Sequence, residues 1–226
     1  MKGDYWLDSW ESDKTGWRQR RPNTRLVAHW QTLGIEPQVD DDEANRVFVP
    51  LCGDSPDLLW LADAGYQVIG SELSEIAAKR FFDEASLAFT IRDNAGFVSY
   101  QGDKITIICG DFFDLPVALV GPVAAVYDRA ATVAMPADMR PAYAAKLASL
   151  CPDGARVMLI SMAYDQDKMK GPPFSVPEDE VQAIYGDSFA IKVVNTSEGP
   201  DILGNLRERG LNTLKETVYC LTRHID

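Results

Sequence analysis

Residues Arg46 to Glu72 read RVFVPLCGDSPDLLWLADAGYQVIGSE, and the fold is decided there. Val47-Phe48-Val49 is a short apolar, β-branched run that breaks at Pro50 and Gly53. A segment of helical spacing follows, with Leu58, Leu59, Leu61 and Ala62 on one side and Asp57 and Asp63 on the other. Gly65 ends it, a second apolar run covers Gln67-Val68-Ile69-Gly70, and Glu72 stands just beyond. Strand, glycine turn, helix, strand and acid form the opening half of a nucleotide-binding α/β fold.

Gly53 and Glu72 are 19 residues apart, close to the roughly 20 that separate a glycine turn from a ribose-holding carboxylate. A carboxylate suits that place because it accepts one hydrogen bond from each ribose hydroxyl. A dinucleotide would need several glycines so that backbone can approach its pyrophosphate. Here one glycine is followed by Asp54, which repels an anion. A ribose-bearing cofactor without phosphate fits better, and S-adenosylmethionine (SAM) is the common one. The same residues also read as a plain turn glycine and a solvated strand end.

The 226 residues suit one domain, 1–226, with 1–35 as an N-terminal cover segment. Apolar content of 46% and charged content of 25% are those of a globular protein. No run approaches the ~18 apolar residues of a membrane span, and the acidic, polar N-terminus is unlike a secretory signal. A net charge of −12 argues against broad contact with phosphate backbones, so no nucleic-acid partner and no membrane partner is expected. Cys52, Cys109, Cys151 and Cys220 are scattered, which points to a reducing cytoplasm without a disulfide framework. With only His29 and His224 beside them, no metal site is expected. Cys52, next to the turn, reads as a packed thiol or a reactive one.

Residues 3–21 hold three of the five tryptophans, Trp6, Trp10 and Trp17. Trp6 and Trp10 are four apart and share a face on a helix. They serve either as an anchor for the N-terminal segment or as an aromatic lid, whose faces attract a cation such as a sulfonium. Pro22-Asn23 begins a helical pattern ended by Gly34, and residues 36–45 are an acidic, solvated loop. Ser74-Glu75 starts another helix. Residues 86–102 are weakly patterned and read as an insertion. A strand over 104–109 leads into Gly110-Asp111-Phe112-Phe113; Asp111 can accept from an adenine amino group while Phe112 packs on the base, or the two form an acidic turn with a core ring. The strand over 123–127 ends in Asp128-Arg129, where open α/β sheets place ligands. Arg129 is a candidate for an anionic group, or it pairs with Asp128. Helix over 139–150, strand over 156–162, a Pro/Gly-rich loop over 164–177, a short helix from Pro177 and two closing antiparallel strands complete the chain. The predicted architecture is a Rossmann-like, seven-stranded, mostly parallel sheet with helices on both faces, the class I methyltransferase order.

Several stretches together resemble the thiopurine S-methyltransferases, especially their bacterial branch. They are Trp6-x3-Trp10 with Thr15-Gly16-Trp17, Val49-Pro50-Leu51-Cys52-Gly53, Val68 to Ser74, Phe112 to Pro116, Tyr127 to Ala131, and Gly171-Pro172-Pro173-Phe174-Ser175-Val176-Pro177. The resemblance implies SAM contacts at Trp10, Leu51, Glu72 and Arg129, with Trp6, Gly53, Asp111 and Phe112 close by. It implies a substrate pocket bordered by Trp17 and Arg129, and methyl transfer to a small aromatic or heterocyclic thiol; a monomer acting on a small-molecule thiol or metalloid substrate is expected. Arg129 positions the substrate; no general base is assigned, Asp128 being the nearest candidate. Three departures stand out: Trp17-Arg18 where the family usually has Phe-His, Asp54 where Lys is common, and Asp111 where Ser is common. Alternatives are methylation of selenium or tellurium compounds in metalloid detoxification, and SAM binding without catalysis. An NAD-dependent oxidoreductase is disfavoured by the single glycine.

Overall fold

The computed structural model describes residues 3–37, 45–94 and 96–225. Val47, Phe48 and Val49 lie in strand β1 (Arg46–Val49) and are buried on both faces, as a continuous apolar run in a central parallel strand should be. β2 (Gln67–Glu72) pairs with it in parallel, Val47 opposite Val68 and Val49 opposite Gly70. The remaining strands are β3 (Thr90–Asp93), β4 (Val98–Gln101), β5 (Ile105–Cys109), β6 (Ala125–Arg129), β7 (Arg156–Ala163), β8 (Phe189–Gly199) and β9 (Leu214–Arg223).

The chain divides into two compact units, one of residues up to Ala28 with Ile35–Val126, the other of His29–Gly34 with Tyr127 onward. In the first, the strand order is β3-β4-β5-β2-β1-β6. β5, β2, β1 and the start of β6 are parallel neighbours, and β4 and β3 add antiparallel at the edge. In the second, the end of β6 is followed in order by β7, β9 and β8, with β9 antiparallel to both its neighbours.

Among the described residues nine strands therefore replace the expected seven. The two extra ones are β3 and β4, in the stretch that reads as an insertion. Every residue of β3 is exposed, so it carries no apolar alternation to betray it.

The helices are α1 (Gly3–Glu11), α2 (Thr24–His29), α3 (Asp57–Asp63), α4 (Glu75–Ala85), α5 (Val117–Val120), α6 (Arg140–Leu150) and α7 (Glu178–Tyr185), in the expected order except for the short α5, which the sequence does not announce. Asn23 caps α2, its Oδ1 accepting from the Arg25 and Leu26 amides. α3 turns Leu58, Leu61 and Ala62 inward and ends at Gly65, whose φ of 103° favours glycine. α4 buries Ala77, Ala78, Phe81 and Phe82; it starts after Ser74 as expected, but the Ser74 side chain makes no capping bond. Residues 38–44 of the acidic loop lie outside the described residues. Among the described residues no helix is long and apolar enough to cross a membrane. All four cysteines are buried free thiols.

Candidate functional site

The site grows from the turn after β1. Leu51 (φ 48°) and Gly53 (φ 55°) both adopt left-handed backbone, which costs a leucine roughly 1–2 kcal/mol. Hydrogen bonds to the end of β2 hold this conformation. The Leu51 amide donates to Ser71 Oγ at 3.3 Å, the Cys52 amide to the Ser71 carbonyl at 2.8 Å, and the Gly53 amide to Glu72 Oε2 at 2.8 Å. Three successive N–H groups are thus committed to the neighbouring strand. In a phosphate-binding turn they would face the ligand, so the geometry agrees with a phosphate-free cofactor.

Glu72 is the keystone of this arrangement. It is 6% exposed, and its other oxygen, Oε1, accepts from the Leu73 and Ser74 amides at 2.8 and 2.9 Å. Burial raises its pKa above the ordinary carboxylate value, while the three N–H groups pull it back. Three acceptor positions of about four are filled, which leaves room for a hydroxyl donor. The Glu72 carboxylate is therefore a buried scaffold for the turn as well as the candidate ribose acceptor. Burial also pushes the Cys52 thiol well up, with nearby Glu72 adding to the effect, so this cysteine is a packed thiol and a poor nucleophile.

Trp10 closes over the turn. A Cβ built on Gly53 would sit 3.3 Å from its indole. Trp10 is 3% exposed, while Trp6 and Trp17 are half-buried. Trp17 packs edge-on against both, with centroids 5.1 Å from Trp6 and 5.9 Å from Trp10, so the i, i+4 pair does share the face that Trp17 meets. Gly53→Ala is expected to cost about 1–2 kcal/mol through its positive φ, a fall of roughly 2–8 °C in Tm. It should also displace Trp10. Thermal unfolding and tryptophan emission check both parts.

Two of the departures from the family pattern turn out to be one feature. Arg18 pairs with Asp54, and its Nη2 meets both Glu84 oxygens at 2.8 Å. The acid next to the glycine is therefore neutralised by the arginine next to Trp17. Local sequence reading finds neither the Arg18–Asp54 pair nor the Arg80–Asp13 pair, because a partner 36 or more residues away leaves no trace in spacing.

The remaining candidates fall as follows. Asp111 is exposed and its Oδ1 accepts from the Phe113 amide, capping a short 3-10 turn. Phe112 is 3% exposed and stacked on Phe48, so in this structure it is a core ring; Phe113 is the half-exposed one. In the second unit, Asp128 and Arg129 belong to β6 itself, where the sequence places them beyond its end. Asp128 does not pair with Arg129. It is fully buried and accepts from the Thr132 amide (3.0 Å), the Thr132 hydroxyl (2.6 Å) and the Tyr143 hydroxyl (2.8 Å). Arg129 is half-buried and its guanidinium makes no hydrogen bond or ion pair with the described residues. Ala130 beyond it has φ 65°.

A parallel core whose glycine turn is bonded to the acid ending the next strand defines a class I SAM-dependent methyltransferase. The fold is shared with a Burkholderia thailandensis 1,6-didemethyltoxoflavin N1-methyltransferase, solved with bound 1,6-didemethyltoxoflavin and S-adenosylhomocysteine: TM-score 0.63, 14% identity, 98% of this chain and 87% of that one. It is shared too with a Synechocystis PCC 6803 magnesium protoporphyrin IX methyltransferase with bound SAM: TM-score 0.58, 18% identity, 97% and 94% covered. Residues 1–224 match the Thiopurine S-methyltransferase (TPMT) family. A thiopurine S-methyltransferase of Azotobacter vinelandii is 41% identical over 226 residues, covering 99% of this chain and all of the relative. One from Pseudomonas fluorescens is 42% identical over 222 residues, covering 97% and 98%. The chain belongs to the thiopurine S-methyltransferase family, and SAM is its cofactor.

Proposed function

We propose that this enzyme methylates the sulfur of small aromatic or heterocyclic thiols, thiopurines among them. The observation that carries the reading is the family match along nearly the entire chain. We assign cofactor contact to Trp6, Trp10, Leu51, Gly53, Glu72, Asp111 and Arg129, and the substrate border to Trp17 and Arg129; Phe112, expected on the adenine, is left to the core. Bound SAM supplies a methyl group on an activated sulfonium, so the chain's own work is binding, alignment and exclusion of water, which together contribute several kcal/mol. Glu72 keeps an acceptor position for a ribose hydroxyl. Arg129, with no partner among the described residues, holds the anionic form of the acceptor. The half-buried Trp17 indole stacks on the heterocycle. A heterocyclic thiol is acidic enough to arrive as thiolate, so no general base is needed. The net charge of −12 and the buried free cysteines support a monomer working in a reducing cytoplasm on small molecules rather than nucleic acid; a detoxifying role would follow from such acceptors.

The test is methyl transfer from labelled SAM to 6-mercaptopurine, with selenite and tellurite in parallel. Thiopurine turnover is the expected result. Turnover of the inorganic acceptors alone would keep the cofactor site and overturn the substrate assignment.

A further inference from the structure

α1 has little of its own to hold it in place. It is nine residues long and buries only Ser9 and Trp10, and an isolated helix of that length is unstable in water. What fastens it is a pair of arginines working in opposite directions. Arg18, from the chain after α1, reaches Asp54, which follows Gly53 directly and has a side chain only 5% exposed. The same guanidinium spans to α4 through both oxygens of Glu84. Arg80 reaches back from α4: its Nη1 meets Asp13 Oδ1 at 2.8 Å, and its guanidinium lies 5.5 Å from the centroid of the Trp10 ring. Trp17 sits beside Arg18 in sequence and against Trp6 and Trp10 in space. The arginine that bonds the glycine turn therefore also fixes the third indole of the cover.

We propose that Arg18 is a positioning residue whose bridge to Asp54 and Glu84 latches the three-tryptophan cover onto the glycine turn and so sets how firmly the enzyme retains SAM. This rests on the cofactor assignment made above for Trp6, Trp10 and Gly53. The two arms of the latch differ in character. Glu84 is 61% exposed, so salt screens its arm readily, whereas the Asp54 arm is shielded. Without Arg18, the buried Asp54 carboxylate keeps Glu84 as a like-charged neighbour and has no counter-charge to draw the cover down.

Hydrogen exchange of the ligand-free protein reads the latch directly. Arg18→Gln is expected to speed exchange of the α1 amides about tenfold while leaving β1 and β2 unchanged. The Kd of SAM by calorimetry should rise about tenfold, with the kinetic loss falling on KM for SAM rather than on kcat. Arg18→Gln/Asp54→Asn removes the unpaired acid as well. Thermal stability should then recover, but fast α1 exchange and weak SAM binding should persist, because no bridge has been restored. A merely structural role would bring all three back together, and that result would overturn the proposal. So would wild-type α1 exchange in Arg18→Gln. Exchange is measured without cofactor: a wild-type protein that bound no SAM would overturn the cofactor assignment, and the α1 rates would still decide the latch.

Discussion

Glu72→Ala is expected to destabilise the fold by about 3–5 kcal/mol and to abolish measurable SAM binding, because three buried N–H groups lose their acceptor at once. The Gly53, Leu73 and Ser74 amides all end on this one carboxylate. Leaving a buried donor unpaired costs about 1–3 kcal/mol, and water entering the vacated space offsets part of the sum. The left-handed backbone at Leu51 and Gly53 loses one of the bonds that holds it, so the damage reaches the turn itself. Glu72→Gln separates shape from charge. Its amide keeps one acceptor oxygen but turns an NH2 toward amides that also donate. An intermediate loss of about 2–3 kcal/mol is expected, with SAM affinity down at least tenfold. Calorimetry and thermal unfolding read both quantities; wild-type stability in Glu72→Ala would show that the carboxylate does not organise the turn. Binding should also depend on pH. A hydroxyl donor favours the ionised acid, and burial has raised this group's pKa above the ordinary 4.5. Affinity should therefore fall as pH drops through that raised value, beginning above the range of an exposed glutamate.

How far the sequence alone reaches is visible in this same region. β1, α3 and β2 were legible because each is short, apolar and punctuated: Pro50 and Gly53 after the first strand, Gly65 after the helix. Central parallel strands buried on both faces write their position into composition. β3 writes nothing, since its four side chains are all exposed and its backbone pairs only through β4. Glu72 could be placed by its distance from Gly53, yet its service to three amides could not, because a backbone donor has no residue type. The Arg18–Asp54 pair shows the opposite limit. Each residue was visible as a departure from the family pattern, and only the fold brings the two departures into one ion pair. Phe112 illustrates a third case: an aromatic beside a site packs on a ligand or on the core with equal ease, and here Phe48 takes it.

Asp128→Ala is the second large effect expected, about 3–5 kcal/mol of stability, and it separates two roles for the acid nearest Arg129. A general base must reach a substrate proton. This carboxylate has no exposed surface, and its oxygens receive the Thr132 amide, the Thr132 hydroxyl and the Tyr143 hydroxyl. The Tyr185 hydroxyl lies 2.7 Å from the Thr132 hydroxyl and extends the network into α7. Burial drives the Tyr143 and Tyr185 pKa values well up, so neither tyrosine is poised to exchange protons with a bound thiol near neutral pH; for Asp128, whose pKa burial also raises, it is the absence of exposed surface that keeps it from a substrate proton. The network instead pins the residues that carry Arg129 and the left-handed Ala130 out of β6. Asp128→Asn supplies the discriminating comparison. As a structural anchor it should lose about 1–3 kcal/mol, since its amide cannot accept from all three donors, and Tyr143→Phe about 1 kcal/mol. The surviving folded enzyme should show a raised KM for the acceptor, through a loosened Arg129, with kcat largely kept. A general base would behave in the reverse way: Asp128→Asn would fold with a near wild-type Tm and lose kcat by about 10²–10⁴. Unfolding curves and steady-state kinetics on the same preparations distinguish the two, and the burial of the group puts the expected loss on the unfolding curve.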